Sequence, residues 1–269
     1  MRTTVFKERP ISDVMTNTAR GLVELLENPY PPVAVYHCRT APFGSERVSD
    51  DHCVIRSFFL PAVKEGRSVY GSPSDIRCGG PASGFCIRDD EHRIELADAY
   101  SKGNGYFDSP ERVVDNYLDA LPVPFTTGDV IVFEPLSTAL ERGIEPEVVV
   151  FLTDPLHISA LMTLAGYARE SSDSPVEMRY ALGCENLYLM PILESRKEDP
   201  KCVIGLTEFF VRKFIDPDKF SFSIPYSLFR KMDGYAEETF LSRGRWNKPL
   251  DPSKMPPRPS RDRGESEKS

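Results

Sequence analysis

Three cysteines stand in settings that could do chemistry: His52-Cys53, Cys78-Gly79-Gly80 and Gly183-Cys184. Thiols this far apart along a chain act together only if the fold gathers them. A thiolate is the soft ligand that iron–sulfur clusters, zinc and copper(I) prefer, and clusters are usually held by four cysteines. Cys53, Cys78 and Cys184 would form a three-thiol set that leaves one position open, with Cys202 as a candidate fourth ligand. Gly79, Gly80 and Gly183 would let backbone N–H groups approach the sulfurs closely. The opposing reading is that cysteine packs as a small hydrophobe and is commonly buried; no Cys-x-x-Cys pair occurs in the chain. Cys184, expected in the first turn of a helix, is the best candidate for a single reactive thiol, because the positive end of the helix dipole favours thiolate.

The other candidate constellations are thinner. His37-Cys38 and His52-Cys53 are adjacent pairs, and adjacent side chains on a strand point to opposite faces, so neither pair chelates easily. His92 lies in a charged segment. Asp154-Pro155-x-His157 follows an apolar strand and reads first as a helix cap with a solvated histidine, second as a neutral imidazole able to take a proton or bind a metal. Cys78 to Gly84 lacks both the Gly-Lys-Ser/Thr end of a phosphate loop and the Gly-x-Gly-x-x-Gly spacing, and no Gly-x-Ser-x-Gly elbow is present. Arg77 and Arg212 could offset an anionic cluster or hold a carboxylate; surface ion pairing is the commoner use of such residues.

These residues must be positioned by the surrounding elements. Ile11, Val14, Met15, Leu22, Leu25 and Leu26 recur at helical spacing, which predicts a helix over 12–27 ended by Asn28-Pro29. Short strands are expected over 32–36 and 68–70, with a helix over 53–63 between them. Residues 88–108 read as a long polar excursion. Ser109-Pro110-Glu111 opens a helix that should reach about residue 121. Strands follow over 130–133 and 147–152; the second is apolar from Val148 onward, as in a buried and possibly parallel strand. Asp154-Pro155 opens a helix with Ile158, Leu161, Met162, Ala165 and Ala168 on one face. Further on come a helix over 183–193, strands over 202–206 and 220–224, and a helix over 226–240. No internal repeat or coiled coil is visible.

The bulk composition sets limits. A net charge of −8 argues against nucleic acid and anionic membrane surfaces as partners. No apolar run reaches the length of a membrane span, and the first residues lack the apolar core of a secretory signal. A cytoplasmic protein with reduced thiols is the expectation. From Asp251 onward prolines, serines and charges dominate, and this tail is expected to be disordered. The chain is therefore expected to be an α/β protein: one domain over 1–248 with a mixed sheet flanked by helices, and a tail over 249–269.

An ordered set of short motifs runs through residues 10–240: Pro31-Pro32-Val33-Ala34-Val35, Cys53, Gly66-x-x-Val69-Tyr70, Cys78-Gly79-Gly80, Gly84-Phe85, Pro146 to Phe151, Gly183-Cys184, Pro191, Gly205 to Arg212 and Ser223-Ile224-Pro225. In this the chain resembles the prokaryotic family called domain of unknown function 169. The resemblance implies no settled activity. It implies cysteines at Cys53, Cys78 and Cys184, with a fourth in many members at the position of Leu206 here; Cys202 lies four residues upstream. The family's frequent occurrence in anaerobes and archaea fits oxygen-sensitive metal chemistry. The leading expectation is a cysteine-ligated metal or iron–sulfur protein of prokaryotic redox or one-carbon metabolism. The alternative is a non-catalytic protein that binds a small molecule at the ends of the Val33–Tyr36 and Val148–Leu152 strands, with its cysteines as core thiols. Substrate, redox partner and oligomeric state are not specified by the sequence.

Overall fold

In the computed structural model of the chain, residues 21–48, 53–72, 75–76, 94–95, 97–114, 130–178, 184–209, 211–243 and 246–247 are described. Their core is one eight-stranded sheet in the order β2-β3-β4-β1-β5-β8-β7-β6. The strands are β1 (Val33–Cys38), β2 (Glu46–Arg47), β3 (Val69–Gly71), β4 (Val130–Pro135), β5 (Val148–Thr153), β6 (Val176–Glu177), β7 (Cys202–Gly205) and β8 (Phe220–Pro225). The two outermost pairs are parallel and all the others antiparallel. The sheet is thus mixed, as expected.

The apolar run of β5 is buried along its whole length, yet β5 is antiparallel to both neighbours. Continuous burial reports that both faces are covered; it carries no information about strand direction. Because β1 and β5 are antiparallel, their carboxyl ends point in opposite directions along the strands.

Two helical layers provide the cover. On one side lie α2 and α5, each a widened turn continued by a regular helix: Ile55–Phe59 into Leu60–Glu65, and Glu185–Leu189 into Met190–Ser195. They pack on Val33, Val35, Ile131, Phe133, Val148, Val150 and Val203. On the other side lie α1 (21–26), α3 (Leu136–Glu141), α4 (Pro155–Gly166) and α6 (Tyr226–Tyr235), packed on Ala34, Val132, Val149, Phe151, Phe222 and Ile224. Alternate residues of each strand feed the two layers, as the two-residue period of a strand requires. Cap chemistry fixes two helix starts as expected: Ser109 accepts from Arg112 N at 3.4 Å, and Asp154 accepts from Leu156 N and His157 N at 3.0 and 3.1 Å. Ahead of the first of these, Ala99–Gly103 forms a helical turn with Ser101 buried, where an irregular polar excursion was expected. Of the predicted 12–27 and 109–121 helices, residues 12–20 and 115–121 lie outside the described residues, as does the tail from 251.

The sheet contains an internal repeat that the sequence does not display. Val33 faces Pro135 across β1–β4, and Val148 faces Pro225 across β5–β8. Gly71 faces Ile131 as Gly205 faces Ser221. Leu136 N bonds Pro32 O at 2.9 Å, and Tyr226 N bonds Glu147 O at 3.0 Å. The central pair closes on itself, with Ala34 opposite Val149 and Val33 and Val35 opposite Val150 and Val148. A pseudo-two-fold axis therefore passes through the Ala34–Val149 pair, normal to the sheet. It relates β1, β2, α2, β3, β4 and α3 to β5, β6, α5, β7, β8 and α6.

Candidate functional site

The two widened turns follow from proline. Pro61 and Pro191 each sit at the second position of the regular segment that follows the turn. Proline has no N–H to give the carbonyl four residues back, and its ring crowds that carbonyl. The helix responds with an i→i+5 turn: Leu60 N bonds Ile55 O, and Met190 N bonds Glu185 O. Such turns are rare and concentrate at functional sites. In α5 the carbonyl released by Pro191 belongs to Leu187, and it is taken by the buried hydroxyl of Ser223 on β8 at 2.8 Å.

Side chains around the second turn are polar where their repeat partners are mostly apolar. Aligned on the prolines, Glu185, Asn186 and Tyr188 stand where the first repeat has Ile55, Arg56 and Phe58. Ser221 and Ser223 stand where it has Ile131 and Phe133. Glu185, Asn186, Tyr188, Ser221 and Ser223 are all fully buried. Asn186 and Ser221 meet over Gly205: a Cβ placed there would lie 2.7 Å from Ser221 Oγ and 2.9 Å from Asn186 Cβ. Ser221 Oγ has no hydrogen-bond partner among the described residues. Leu206, next along, is held at φ 58° and fully buried, a conformation that costs a non-glycine residue about 1–2 kcal/mol. Tyr188 lies edge-on to Phe133 at 5.9 Å, and Phe58 contacts the same ring at 5.6 Å, so the aromatic seam ties the two repeats together.

The cysteines divide by layer. Cys184 is buried at the start of α5, and Cys53 is partly buried just before α2; both belong to the α2/α5 side. Cys38 and Cys202 belong to the opposite side. Cys202 thus stands on the other face from Cys184: Val203 faces Cys184's layer, so its neighbour Cys202 faces away. Complete burial pushes the Cys202 thiol pKa far up. Cys78, Gly79 and Gly80 lie outside the described residues, as do Arg77 and His92. Among the described residues no three His, Cys, Asp or Glu side chains group as a metal site.

The remaining candidates have structural uses. His157 is buried rather than solvated: Nδ1 meets Asp154 Oδ1 at 2.8 Å, and the ring stands edge-on to Trp246 at 5.3 Å. Asp154's pKa is lowered: partial burial opposes this, but is outweighed by its bonds to the His157 side chain and backbone and by the His157 and Lys219 charges. His37 pairs with Glu147 at 2.5 Å. Arg212 bonds its own surrounding loop. Its guanidinium donates to the carbonyls of Leu206, Asp216, Pro217 and Lys219 and lies 4.6 Å from the Phe220 ring, pinning the loop between β7 and β8.

The profile of the DUF169 family, described as "Uncharacterised ArCR", matches residues 21–233. The chain belongs to this family. The match spans both repeats from α1 through most of α6, so the duplicated sheet and the polar cluster over Gly205 both fall within the DUF169 region. No curated protein and no solved structure matches the chain. No helix among the described residues is long and apolar enough to cross a membrane.

Proposed function

We propose that this DUF169 protein binds a small polar organic molecule, one bearing hydrogen-bond donors, against the widened turn of α5. The observation that carries this reading is the contrast between repeats: Glu185, Asn186, Ser221 and Ser223 replace Ile55, Arg56, Ile131 and Phe133 in the same framework. Buried polar groups cost free energy unless they are hydrogen-bonded, and the first repeat builds the same architecture largely without them there. Their retention in the second repeat fits recognition. Ser221 Oγ, without a hydrogen-bond partner among the described residues, can both donate and accept. Thermal-shift screening of the full chain against small amines, amides and amino acids tests this. Binding should raise the melting temperature of the wild type and be weakened by Ser221→Val and Asn186→Leu. No stabilising compound, or hits unaffected by both variants, would remove the reading.

A second reading, a thiolate-held metal or iron–sulfur cluster, is favoured by the sorting of the cysteines: Cys53 and Cys184, one from each repeat, share the α2/α5 layer, and Cys38 and Cys202 lie on the opposite side. Two thiols in one layer fit such a group only in part, and Cys78 would have to supply the third. Anaerobic purification followed by metal and acid-labile sulfide analysis tests it. Bound metal lost in both Cys53→Ser and Cys184→Ser supports the reading; colourless, metal-free protein after reconstitution with iron and sulfide, and with zinc, removes it.

A further inference from the structure

The pseudo-two-fold leaves α4 without a counterpart. In the first repeat β1 reaches β2 through residues 39–45, whereas in the second β5 reaches β6 through residues 154–175, which hold α4. Together with α6 and with Asp199-Pro200 ahead of β7, the end of α4 and the turn after it line a pocket of about 370 Å³. That volume is at the small end of the range for sites that take small organic molecules. The pocket lies on the opposite side of the sheet from the α5 turn, since Ala165 and Leu228 belong to one layer and Leu187 to the other.

Its lining joins a fixed apolar wall to charges of both signs. Ala165 and Leu228 form the wall with the ring of Tyr235. That ring is held in place: its hydroxyl donates to Leu164 O at 3.0 Å, and it lies 5.2 Å from the Tyr167 ring. Arg169 lines the pocket with a side chain only 10% exposed. Its guanidinium pairs with Asp199 and donates to Pro200 O at 3.4 Å. These bonds occupy the two Nη groups, and the buried Nε–H has no acceptor among the described residues. A buried donor in that state costs free energy until an acceptor reaches it. Lys231 and Glu170 complete the lining as exposed side chains that form no ion pair with a described residue. With Arg169 and Asp199 paired to each other, one cation and one anion of the pocket stay unspent.

We propose that this pocket binds a free α-amino acid with an apolar side chain, at a site separate from the α5 turn and independent of what binds there. The ligand carboxylate takes Lys231 and the spare Nε–H of Arg169, the ligand ammonium takes Glu170, and the side chain lies on Ala165, Leu228 and Tyr235. The balance of charge is what selects a zwitterion. A simple anion would leave Glu170 facing it, and a simple cation would leave Lys231 facing it, so either pays a like-charge penalty that a ligand carrying both signs avoids. Arg169, already fixed by Asp199 and Pro200, loses little freedom when the ligand arrives, which favours binding.

Titration calorimetry of the full chain with L-phenylalanine and L-leucine tests this. Two analogues of the first probe, 2-phenylethylamine without the carboxylate and 3-phenylpropionate without the ammonium, test the zwitterion. One equivalent of at least one amino acid should bind, and both analogues of L-phenylalanine should bind at least about tenfold more weakly than it does. Lys231→Met and Glu170→Gln should each raise Kd by about tenfold, the loss of one charge-assisted hydrogen bond. Ala168→Trp, which fills the pocket, should abolish binding, and Ser221→Val at the α5 turn should leave it unchanged. Ala168, Glu170 and Lys231 are exposed, so these three variants should keep the wild-type melting temperature, which separates lost binding from lost folding. No binding of either amino acid up to about 10 mM, analogues that bind as well as L-phenylalanine, or binding that survives Ala168→Trp would overturn the proposal. Binding lost in Ser221→Val but kept in Ala168→Trp would overturn it too, by moving the ligand to the α5 turn.

Discussion

Gly205 and Ser223 show how single residues hold the second repeat's polar cluster in place. A methyl group on Gly205 would press on Ser221 Oγ and on Asn186 Cβ, so Gly205→Ala should destabilise by about 1–3 kcal/mol, as overpacking does. Gly234, inside α6 with open space around it, is the contrast: Gly234→Ala should stabilise by about 0.5–1 kcal/mol. Opposite signs in urea denaturation check the pair. Ser223→Ala strips Leu187 O of its hydroxyl partner and should cost about 1–3 kcal/mol, the desolvation penalty of an orphaned carbonyl.

Asp233 sets a pH dependence at the same scale. Burial raises its pKa to about 7, and the Leu22 N–H that it accepts at 2.7 Å opposes this only partly. A carboxyl with a raised folded-state pKa binds more protons in the native than in the unfolded chain between the two pKa values. Its contribution is therefore fully present below about pH 4 and lost as pH rises through about 7, by at most roughly 4 kcal/mol. Asp75 and Asp154, whose pKa values are lowered, act in the other direction, losing stability as pH falls below the usual carboxylate range. The test is the difference between wild type and Asp233→Asn: the wild type should lose stability from pH 4 to 7 relative to the variant. A constant difference across that range would refute the assignment.

At the scale of elements, β5 is the centre of the sheet. Phe151 is fully buried between β5 and α6, 6.4 Å from Phe229. Phe151→Ala should cost about 3–5 kcal/mol, whereas Leu156→Ala on the exposed side of α4 should stay within about 0.5 kcal/mol; chemical denaturation of both variants checks this. The apolar composition of β5 was readable as burial, and the Asp154-Pro155 start of α4 as a cap, because both are local properties. Strand direction was not readable, since an apolar run looks the same in parallel and antiparallel company. The widened turns were not read either, although Pro61 and Pro191 in otherwise helical patterns were the available signal: each removes a donor, and only the neighbouring strand decides what takes the freed carbonyl.

For the whole molecule, the two repeats are halves of one sheet rather than two domains. The β1–β5 pair and the Tyr188–Phe133 contact cross the seam, so unfolding should be a single cooperative transition. In hydrogen exchange, amides of β1 and β5 should be the slowest, being farthest from either sheet edge. Faster exchange in β5 than in β7 would contradict this order.

By itself the sequence determined the class of fold, the main strands and helices, the caps, and the family, because hydrophobic period, proline, and Ser or Asp before a helix act within a few residues. It also marked Cys53, Cys78 and Cys184 as a set to follow, of which Cys53 and Cys184 are among the described residues. Only the tertiary structure decided that these two share a layer, that Cys202 points the other way, and that His157 is buried against Trp246. Each depends on which face of a strand or helix meets which neighbour, a matter of register across long chain separations. The internal repeat stayed hidden for the same reason. Equivalent positions keep backbone geometry, as at Gly71 and Gly205 or Pro135 and Pro225, while side chains such as Phe133 and Ser223 diverged. A fold conserves hydrogen-bond register far more strictly than it conserves what fills the space between its layers.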